Sequence, residues 1–189
     1  MTVPSLLREN RTWILTATCL FLIGAVLGFF LGDHVLSADT LGSLPSTSAD
    51  TELPALSIRS IFFNNATVAL AVGAGGFLLA VPSVGGLLTN GFYVGFSVAL
   101  AIAEYSEIGI VVAVFAPHGV FEIPGLLLAA AAGLRITNGF YRYFFGRDDL
   151  LTTEELRGFA QLMLLSVLLI GIGSVVEVHV TPVIHEIVM

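Results

Sequence analysis

The sequence predicts an all-α integral membrane protein with about five membrane-spanning helices, organised as one polytopic domain over residues 1–189. Two observations lead to this class. Hydrophobic residues make up 56% of the chain and charged residues only 11%, with a mean hydropathy of +0.96, whereas about a quarter of a soluble domain is charged. The apolar residues also form runs long enough to cross a bilayer. The surplus apolar surface is therefore expected to face lipid.

The charged residues limit the partners that the chain can take. All seven basic residues are arginines, and fourteen acidic residues give a formal net charge of −7. This balance argues against nucleic-acid binding, and the acid-rich, lysine-free composition is similar to that of extreme halophiles. The single cysteine, Cys19, lies in an apolar run. No internal disulfide and no cysteine metal site is therefore expected.

The first predicted span covers residues 13–31, whose length of about 28 Å at 1.5 Å per residue suffices for the hydrocarbon core. A cleaved signal peptide is the alternative, but its apolar region would be shorter, and only residues 36–38 resemble a cleavage site. Gly24, Gly28 and Gly32 recur every four residues in this region. Such a stripe of small residues predicts close approach of another helix.

The second and third spans are predicted at about 66–81 and 91–103, after a polar outer loop over 33–58. Residues 66–103 are 38 nearly uncharged residues in a row. This length is too great for one span and suits two. Asn90 and Gly91 are interpreted as part of the Gly-rich turn between the two helices. A re-entrant or broken pair is the alternative, which requires that protein or water cover the irregular backbone.

The fourth predicted span, 108–134, contains two prolines that would each remove a backbone hydrogen-bond donor. Pro117 and Gly119 lie near its middle, and Pro124 follows. The sequence therefore predicts a fourth span that is broken at these residues.

The fifth span is predicted at about 159–177, after a cytoplasmic loop over 135–159. Thr152 and Glu155 have the spacing of a capping box ahead of this helix. Arginines favour the cytoplasmic side of a membrane protein, and five spans with the N-terminus inside place six of the seven there. The chain is therefore predicted to lie in the plasma membrane with its N-terminus in the cytoplasm and its C-terminus outside.

A short repeat occurs in the chain, since residues 89–93 and 137–141 both read Thr-Asn-Gly-Phe-Tyr. A shared helix-ending signal is one interpretation, because Asn-Gly readily adopts the left-handed conformation. Duplication of a parallel unit is the other.

The candidate polar site centres on His118 and Glu122, which would share one face of a helix near the middle of the membrane. Ionisable residues at that depth are costly and are functional candidates. Asn64 and Asn65 are predicted either to cap the second helix or to join this pair. Glu104 is either an acid of the exit loop or a further member of the polar site. The pair could fix the helix break, carry a proton or ion, or take part in metal or catalytic chemistry. Zinc needs three or four protein ligands, so a metal on these residues would require an oligomer, and no other cofactor is expected.

These motifs resemble the stage II sporulation protein M family. The resemblance rests on ordered elements over residues 61–135: Phe-Phe-Asn-Asn at 62–65, Leu-Thr-Asn-Gly-Phe at 88–92, Pro-His-Gly-Val-Phe-Glu-Ile-Pro at 117–124 and Ala-Ala-Gly-Leu-Arg at 131–135. In spore-forming bacteria, family members act in engulfment beside cell-wall hydrolases and are thought to localise them. Many relatives occur in organisms without spores, including archaea, so the resemblance implies the fold and leaves the activity open.

The expected function is that of a non-enzymatic membrane protein that acts in assembly, anchoring or membrane remodelling. Its expected partners are the lipid bilayer, a second copy of the chain, and membrane or extracellular proteins. The first alternative is a channel or transporter with a polar site at His118 and Glu122. The second is an intramembrane metal-dependent enzyme that uses the same two residues.

Overall fold

The computed structural model describes residues 2–37, 57–105, 108–146, 150–180 and 183, without the side chains of residues 36, 37 and 104–118. The described residues are helical, with no strand among them, and five of their helices are long and apolar enough to cross a membrane. The predicted fold class is confirmed. The elements are α1 Val3–Glu9, α2 Arg11–Ser37, α3 Ile58–Ala74, a 3₁₀ turn Gly75–Leu78, α4 Val81–Tyr105, α5 Ile108–Phe144 and α6 Thr153–His179.

Capping residues start α3 and α6 earlier than predicted. Ser57 caps α3 and accepts a hydrogen bond from the amide of Ser60, so α3 begins eight residues before the predicted position. Asn64 therefore lies inside α3. Thr152 and Glu155 form the predicted capping box, which is confirmed, and it starts α6 at Thr153 rather than at 159. The predicted loop 135–159 is correspondingly shorter.

The turn between the second and third spans was predicted at the wrong place. Asn90 and Gly91 lie inside α4, which begins at Val81 with Pro82 in its first turn. Proline is tolerated there, since the first amides of a helix have no partner within the helix. The chain reverses instead through Gly75–Leu78 and through Leu79 and Ala80, whose φ values are 54° and 63°.

The second copy of the repeat also fails to end a helix. Asn138 and Gly139 lie inside α5, which continues to Phe144. The interpretation of the repeat as a shared helix-ending signal is therefore wrong. Both Asn-Gly pairs occur where helices pack rather than where they stop.

The break predicted in the fourth span is not present, because α5 runs as one helix through Pro117 and Pro124. Prolines are tolerated in membrane helices where neighbouring groups can satisfy the freed backbone carbonyls. Within Gly119–Phe144 of α5, 61% of the residues in the most apolar stretch are buried, against 22% in the corresponding stretch of α2. Neighbouring helices thus surround α5 and hold it as the central helix of the bundle.

The spanning helices alternate in direction. Arg135 of α5 bonds Asn10, which precedes α2. Thr137 of α5 bonds the carbonyl of Gly76 in the turn, and the ring of Phe77 contacts that of Phe159 in α6. These contacts bring four segments together at one end of the bundle: residues 3–13, 75–80, 135–146 and 150–159. This end is named the arginine-rich end.

Helices α2 and α4 run parallel and meet backbone to backbone. A Cβ atom on Gly24 or Gly28 of α2 would strike the carbonyl oxygen of Leu88 or Phe92 in α4. A Cβ atom on Gly91 or Gly95 of α4 would in turn strike α2, and Gly32 faces Phe96 and Ala99. The glycine stripes of the two helices therefore interlock.

A second packing centre joins α3, α5 and α6. Gly76 lies directly against the backbone of Gly133 in α5, and Gly73 lies against Met163 of α6. Between them, four consecutive alanines of α5, residues 129–132, are fully buried. Small residues thus let three helices approach closely around α5.

The left-handed turn offers a direct test of the fold. Replacing Ala80 with glycine is expected to raise the free energy of unfolding by about 0.5–1 kcal/mol, because glycine avoids the steric cost of positive φ. Unfolding by denaturing detergent in micelles would measure this change. Ala71→Gly, at an exposed position inside α3, is the control and should destabilise by about 0.5–1 kcal/mol. A loss of stability in Ala80→Gly would contradict the left-handed conformation.

Candidate functional site

A small cavity inside the bundle collects polar side chains from three helices. Asn65 of α3, Asn90 of α4 and Glu122 of α5 line a volume of about 50 Å³. The apolar part of the wall consists of Phe21, Val68, Val94, Ile123, Leu126 and Ile170. Glu122 is only 5% exposed. The volume of about 50 Å³ exceeds the 10–15 Å³ that one water needs, so the cavity has room for a few waters.

The cavity lies beside the middle part of α5. Glu122 is fourteen residues from Ile108, the first residue of α5, and thirteen residues from Arg135 at the arginine-rich end. At 1.5 Å per residue it is about 20 Å from each. Glu122 therefore lies about midway along α5 between these two residues.

Local contacts fix the orientation of the polar groups. The side-chain amide of Asn90 donates to the carbonyl of Gly86 at 2.8 Å. The side-chain oxygen of Asn65 accepts a hydrogen bond from the side-chain nitrogen of Asn64 at 3.3 Å. On the other side, a Cβ atom on Gly173 would come within 2.8 Å of Cγ of Glu122. The absence of a side chain on Gly173 lets Glu122 lie against α6.

A crevice of about 290 Å³ adjoins the cavity between α4 and α5. Asn90, Val94 and Ile123 line both spaces. The crevice continues along Tyr93, Ser97, Val98 and Gly119. Because Ser97 follows Asn90 in α4 and Gly119 precedes Ile123 in α5, it leads from the cavity away from the arginine-rich end.

The structure brings together two of the side chains predicted for the polar site, Glu122 and Asn65. Asn64 is exposed, and its side-chain amide donates a hydrogen bond to Asn65. The side chains of His118 and Glu104 lie outside the described residues, as does that of Pro117.

Asn90 lines the cavity, although its sequence context predicted a turn between two helices. The sequence did carry a signal for it, since a primary amide within a long uncharged span is costly in lipid and marks an interior position.

A metal was predicted only for His118 and Glu122 within an oligomer. Among the residues that the structure describes, no group of three or more His, Cys, Asp or Glu could hold a metal ion. Because the side chain of His118 is outside that set, the metal prediction is not tested.

A second polar region lies at the arginine-rich end. Arg135 donates to the fully buried Asn10 at 2.7 Å and to the backbone carbonyl of Glu154 at 3.4 Å. Arg142 forms an ion pair with Glu155. Charge-assisted hydrogen bonds of this kind are stronger than neutral ones, and they tie α5 to α6 and to the segment between α1 and α2.

Two adjoining clefts flank this network. One, of about 500 Å³, is lined by Glu9, Trp13, Arg135, Asn138, Arg142, Thr152, Glu154 and Glu155. The other, of about 390 Å³, is lined by Glu9, Arg135, Thr153, Glu154, Arg157, Gly158 and Gln161. The two clefts share Glu9, Arg135 and Glu154. They present both signs of charge on a surface built from four helices.

Comparison with known proteins identifies the family. The family model described as stage II sporulation protein M matches residues 17–182. An uncharacterised protein of Methanocaldococcus jannaschii is 29% identical over 172 residues, which cover 89% of this chain and 93% of the relative. No solved structure matches. The family match includes most of the first apolar helix and all of the other four, and the chain is a multi-pass membrane protein that belongs to the stage II sporulation protein M family.

Proposed function

We propose that this protein is a non-enzymatic component of a plasma-membrane assembly and that it binds a partner protein through its arginine-rich end. The observation that carries the proposal is the pair of adjoining clefts around Arg135. Their walls are already fixed by bonds between helices. A preorganised surface loses little conformational entropy on binding, so this end is suited to holding another protein in place.

The composition of this end also suits protein binding. Arginine and aromatic residues are enriched at protein interfaces. Arg157 is exposed, and next to the clefts Tyr141, Tyr143, Phe144 and Phe145 are each at least 49% exposed. The mixture of arginines and glutamates favours a partner segment that carries both charges.

Orientation follows from the distribution of arginines. Arg8, Arg11, Arg135, Arg142 and Arg157 lie at the arginine-rich end, and Arg59 lies at the start of α3 at the opposite end. Positive charge favours the cytoplasmic side. The proposed partner therefore binds from the cytoplasm.

Charge reversal at Arg157 is expected to weaken partner binding strongly. A photo-crosslinking residue placed at Glu154 should form a defined protein adduct in cells. Arg157→Glu should remove most of that adduct, because the second cleft, in which two arginines balance two glutamates, becomes acidic. Mass spectrometry of the adduct identifies the partner, and an adduct of twice the chain mass identifies a second copy of the protein.

Arg59→Glu, at the opposite end, is the matched control and should leave the adduct unchanged. Equal loss of the adduct in both variants would contradict binding at the arginine-rich end. Adducts with lipid alone would contradict the assembly role itself.

Passage of an ion is the second candidate function, and the cavity with its crevice favours it. Ligand pockets for small molecules usually measure 300–1,000 Å³, so a cavity of about 50 Å³ restricts passage to water-sized species. Ion flux into vesicles that contain the purified protein tests this candidate, and Glu122→Gln is expected to remove any flux.

A further inference from the structure

The turn between α3 and α4 is apolar on its exposed side. Residues 75–81 read Gly-Gly-Phe-Leu-Leu-Ala-Val. Four of their side chains are each at least 45% exposed: Phe77, Leu78, Leu79 and Val81. Turns that face water are usually built from polar residues, glycine and proline, and contiguous apolar patches are uncommon on water-facing surfaces. The exposed side of this turn is therefore suited to contact with apolar material.

The other two connections at the arginine-rich end carry charges. The connection between α5 and α6 contains Arg-Asp-Asp at 147–149, and that between α1 and α2 is flanked by Arg-Glu-Asn-Arg at 8–11. By contrast, the sequence has no charged residue from 60 to 103, on either side of the apolar turn. The apolar character therefore belongs to this turn and is not general at this end of the bundle.

Hydroxyl groups of the protein satisfy backbone carbonyls at the turn. Thr137 of α5 donates to the carbonyl of Gly76 at 3.0 Å, which is the shorter of its two bonds. Ser83, which is fully buried in α4, donates to the carbonyl of Val72 at 2.6 Å. In hydrocarbon no water can make these bonds, so irregular backbone there needs protein partners. The turn has such partners at both carbonyls.

The level of the turn along α5 is set by the same bond from Thr137. The exposed side chains of Tyr141, Tyr143 and Phe144 lie four to seven residues farther along α5. At 1.5 Å per residue this is about 6–10 Å. Exposed aromatic residues of membrane proteins concentrate at the level of the lipid headgroups. The turn therefore lies on the bilayer side of that level.

The length of α3 leads to the same position. Phe77 follows Arg59 by eighteen residues, which is about 27 Å at 1.5 Å per residue. An arginine near the end of a membrane helix keeps its charge at the interface, and the hydrocarbon core is about 30 Å thick. With Arg59 at one edge of the core, the turn ends before the opposite edge.

We infer that the turn 75–81 is embedded among the acyl chains of the leaflet on the arginine-rich side, and that lipid covers its exposed apolar side chains. The hairpin of α3 and α4 thus ends inside the bilayer, whereas α5 continues beyond it. The inference does not depend on the partner that is proposed for the two clefts.

Fluorescence quenching of the full chain in phosphatidylcholine vesicles tests the position of the turn. Trp13 is the single tryptophan of the sequence, so Trp13→Phe gives a background without tryptophan, to which Leu78→Trp is added. Phosphatidylcholine brominated on its acyl chains should remove most of the emission, because bromine quenches groups that contact those chains. Acrylamide, present on both sides of the membrane, should remove little.

Leu150→Trp in the same background is the matched control. Leu150 is also an exposed leucine at the arginine-rich end, but it directly follows the charged residues 147–149. Its emission should fall with acrylamide and change little with brominated lipid.

Three results would overturn the inference. Quenching of Leu78→Trp by acrylamide but not by brominated lipid would place the turn in water. Protection from both quenchers would show that a second copy of the chain covers the turn, since no other protein is present. Equal responses of Leu78→Trp and Leu150→Trp would remove the distinction between the two connections.

A second pair of variants serves if Leu78→Trp does not fold. Leu78→Ala and Leu78→Asp remove the same apolar contacts, but only aspartate adds a charge, which is costly to bury in hydrocarbon. In nanodiscs the unfolding temperature of Leu78→Asp should lie well below that of Leu78→Ala, whereas Leu150→Asp and Leu150→Ala should unfold at similar temperatures. Similar unfolding temperatures for the two variants at position 78 would overturn the inference. None of these measurements bears on crosslinking at Glu154, so the embedded turn and the assembly role can fail separately.

Discussion

Gly95→Ala is expected to lower the free energy of unfolding by about 1–3 kcal/mol, which is the usual cost of overpacking an interior. The added methyl group would meet the backbone of Ala25, including its carbonyl oxygen. Backbone atoms cannot rotate away as a side chain can, so α2 and α4 must separate. The separation would also loosen the reciprocal contact of Gly28 with Phe92. Unfolding of the purified protein by denaturing detergent measures the loss.

Gly85→Ala is the matched control in the same helix. A Cβ atom at Gly85 meets nothing within 4 Å, so the change should leave stability unchanged or raise it by up to about 1 kcal/mol through helix propensity. Gly28→Ala combined with Gly95→Ala should cost less than the sum of the two single changes, because both act on one interface. If Gly95→Ala and Gly85→Ala behaved alike, the close packing of α2 on α4 would be contradicted.

Glu155→Ala is expected to destabilise the protein by about 2–3 kcal/mol. Glu155 is buried, accepts a hydrogen bond from the amide of Thr152 at 2.9 Å and pairs with Arg142. Loss of a cap costs about 0.5–2 kcal/mol. Breaking a fully buried ion pair costs about 3–5 kcal/mol, but the side chain of Arg142 is 33% exposed, and solvent screening lowers that contribution.

Three variants separate the two contributions of Glu155. Glu155→Gln keeps an oxygen for the cap and loses the charge, so an intermediate loss is expected. Arg142→Ala combined with Glu155→Ala measures the ion pair by a double-mutant cycle. Glu154→Ala is the adjacent control and should have little effect, because Glu154 is exposed and its backbone carbonyl is the group that contacts Arg135. A loss as large in Glu154→Ala as in Glu155→Ala would contradict the assigned role of Glu155.

The sequence predicted the helical class and the number of spans because both depend on composition. The capping box at Thr152 and Glu155 was also predictable, since it is a local pattern of hydrogen-bonding side chains. The polar character of Glu122 and Asn65 was evident for a similar reason. Ionisable and amide groups are rare in apolar runs, so each one identifies a candidate position for a polar site.

The misplaced turn and the missing helix break have a common physical cause. Glycine, proline and Asn-Gly pairs are local signals for turns, but each residue type also serves in packing. In this chain Gly91 lets α4 lie against the backbone of α2, and Pro82 lies in the first turn of a helix. The reversal itself uses Leu79 and Ala80, because Gly75 and Gly76 are needed where α4 and α5 come close.

The sequence by itself determined that this chain is a membrane protein, which segments are apolar enough to span, and which polar residues lie within them. The tertiary structure alone decided that Asn90 joins Glu122 and Asn65 at one cavity, and that Arg135 reaches back to Asn10 across the bundle. Hydropathy is a sum over residues that are neighbours in the chain. The cavity and the Arg135–Asn10 contact depend instead on how helices far apart in sequence are aligned and on which of their sides face each other. Register is fixed by contacts such as those of Gly28 and Gly95, which exist only once the helices have packed.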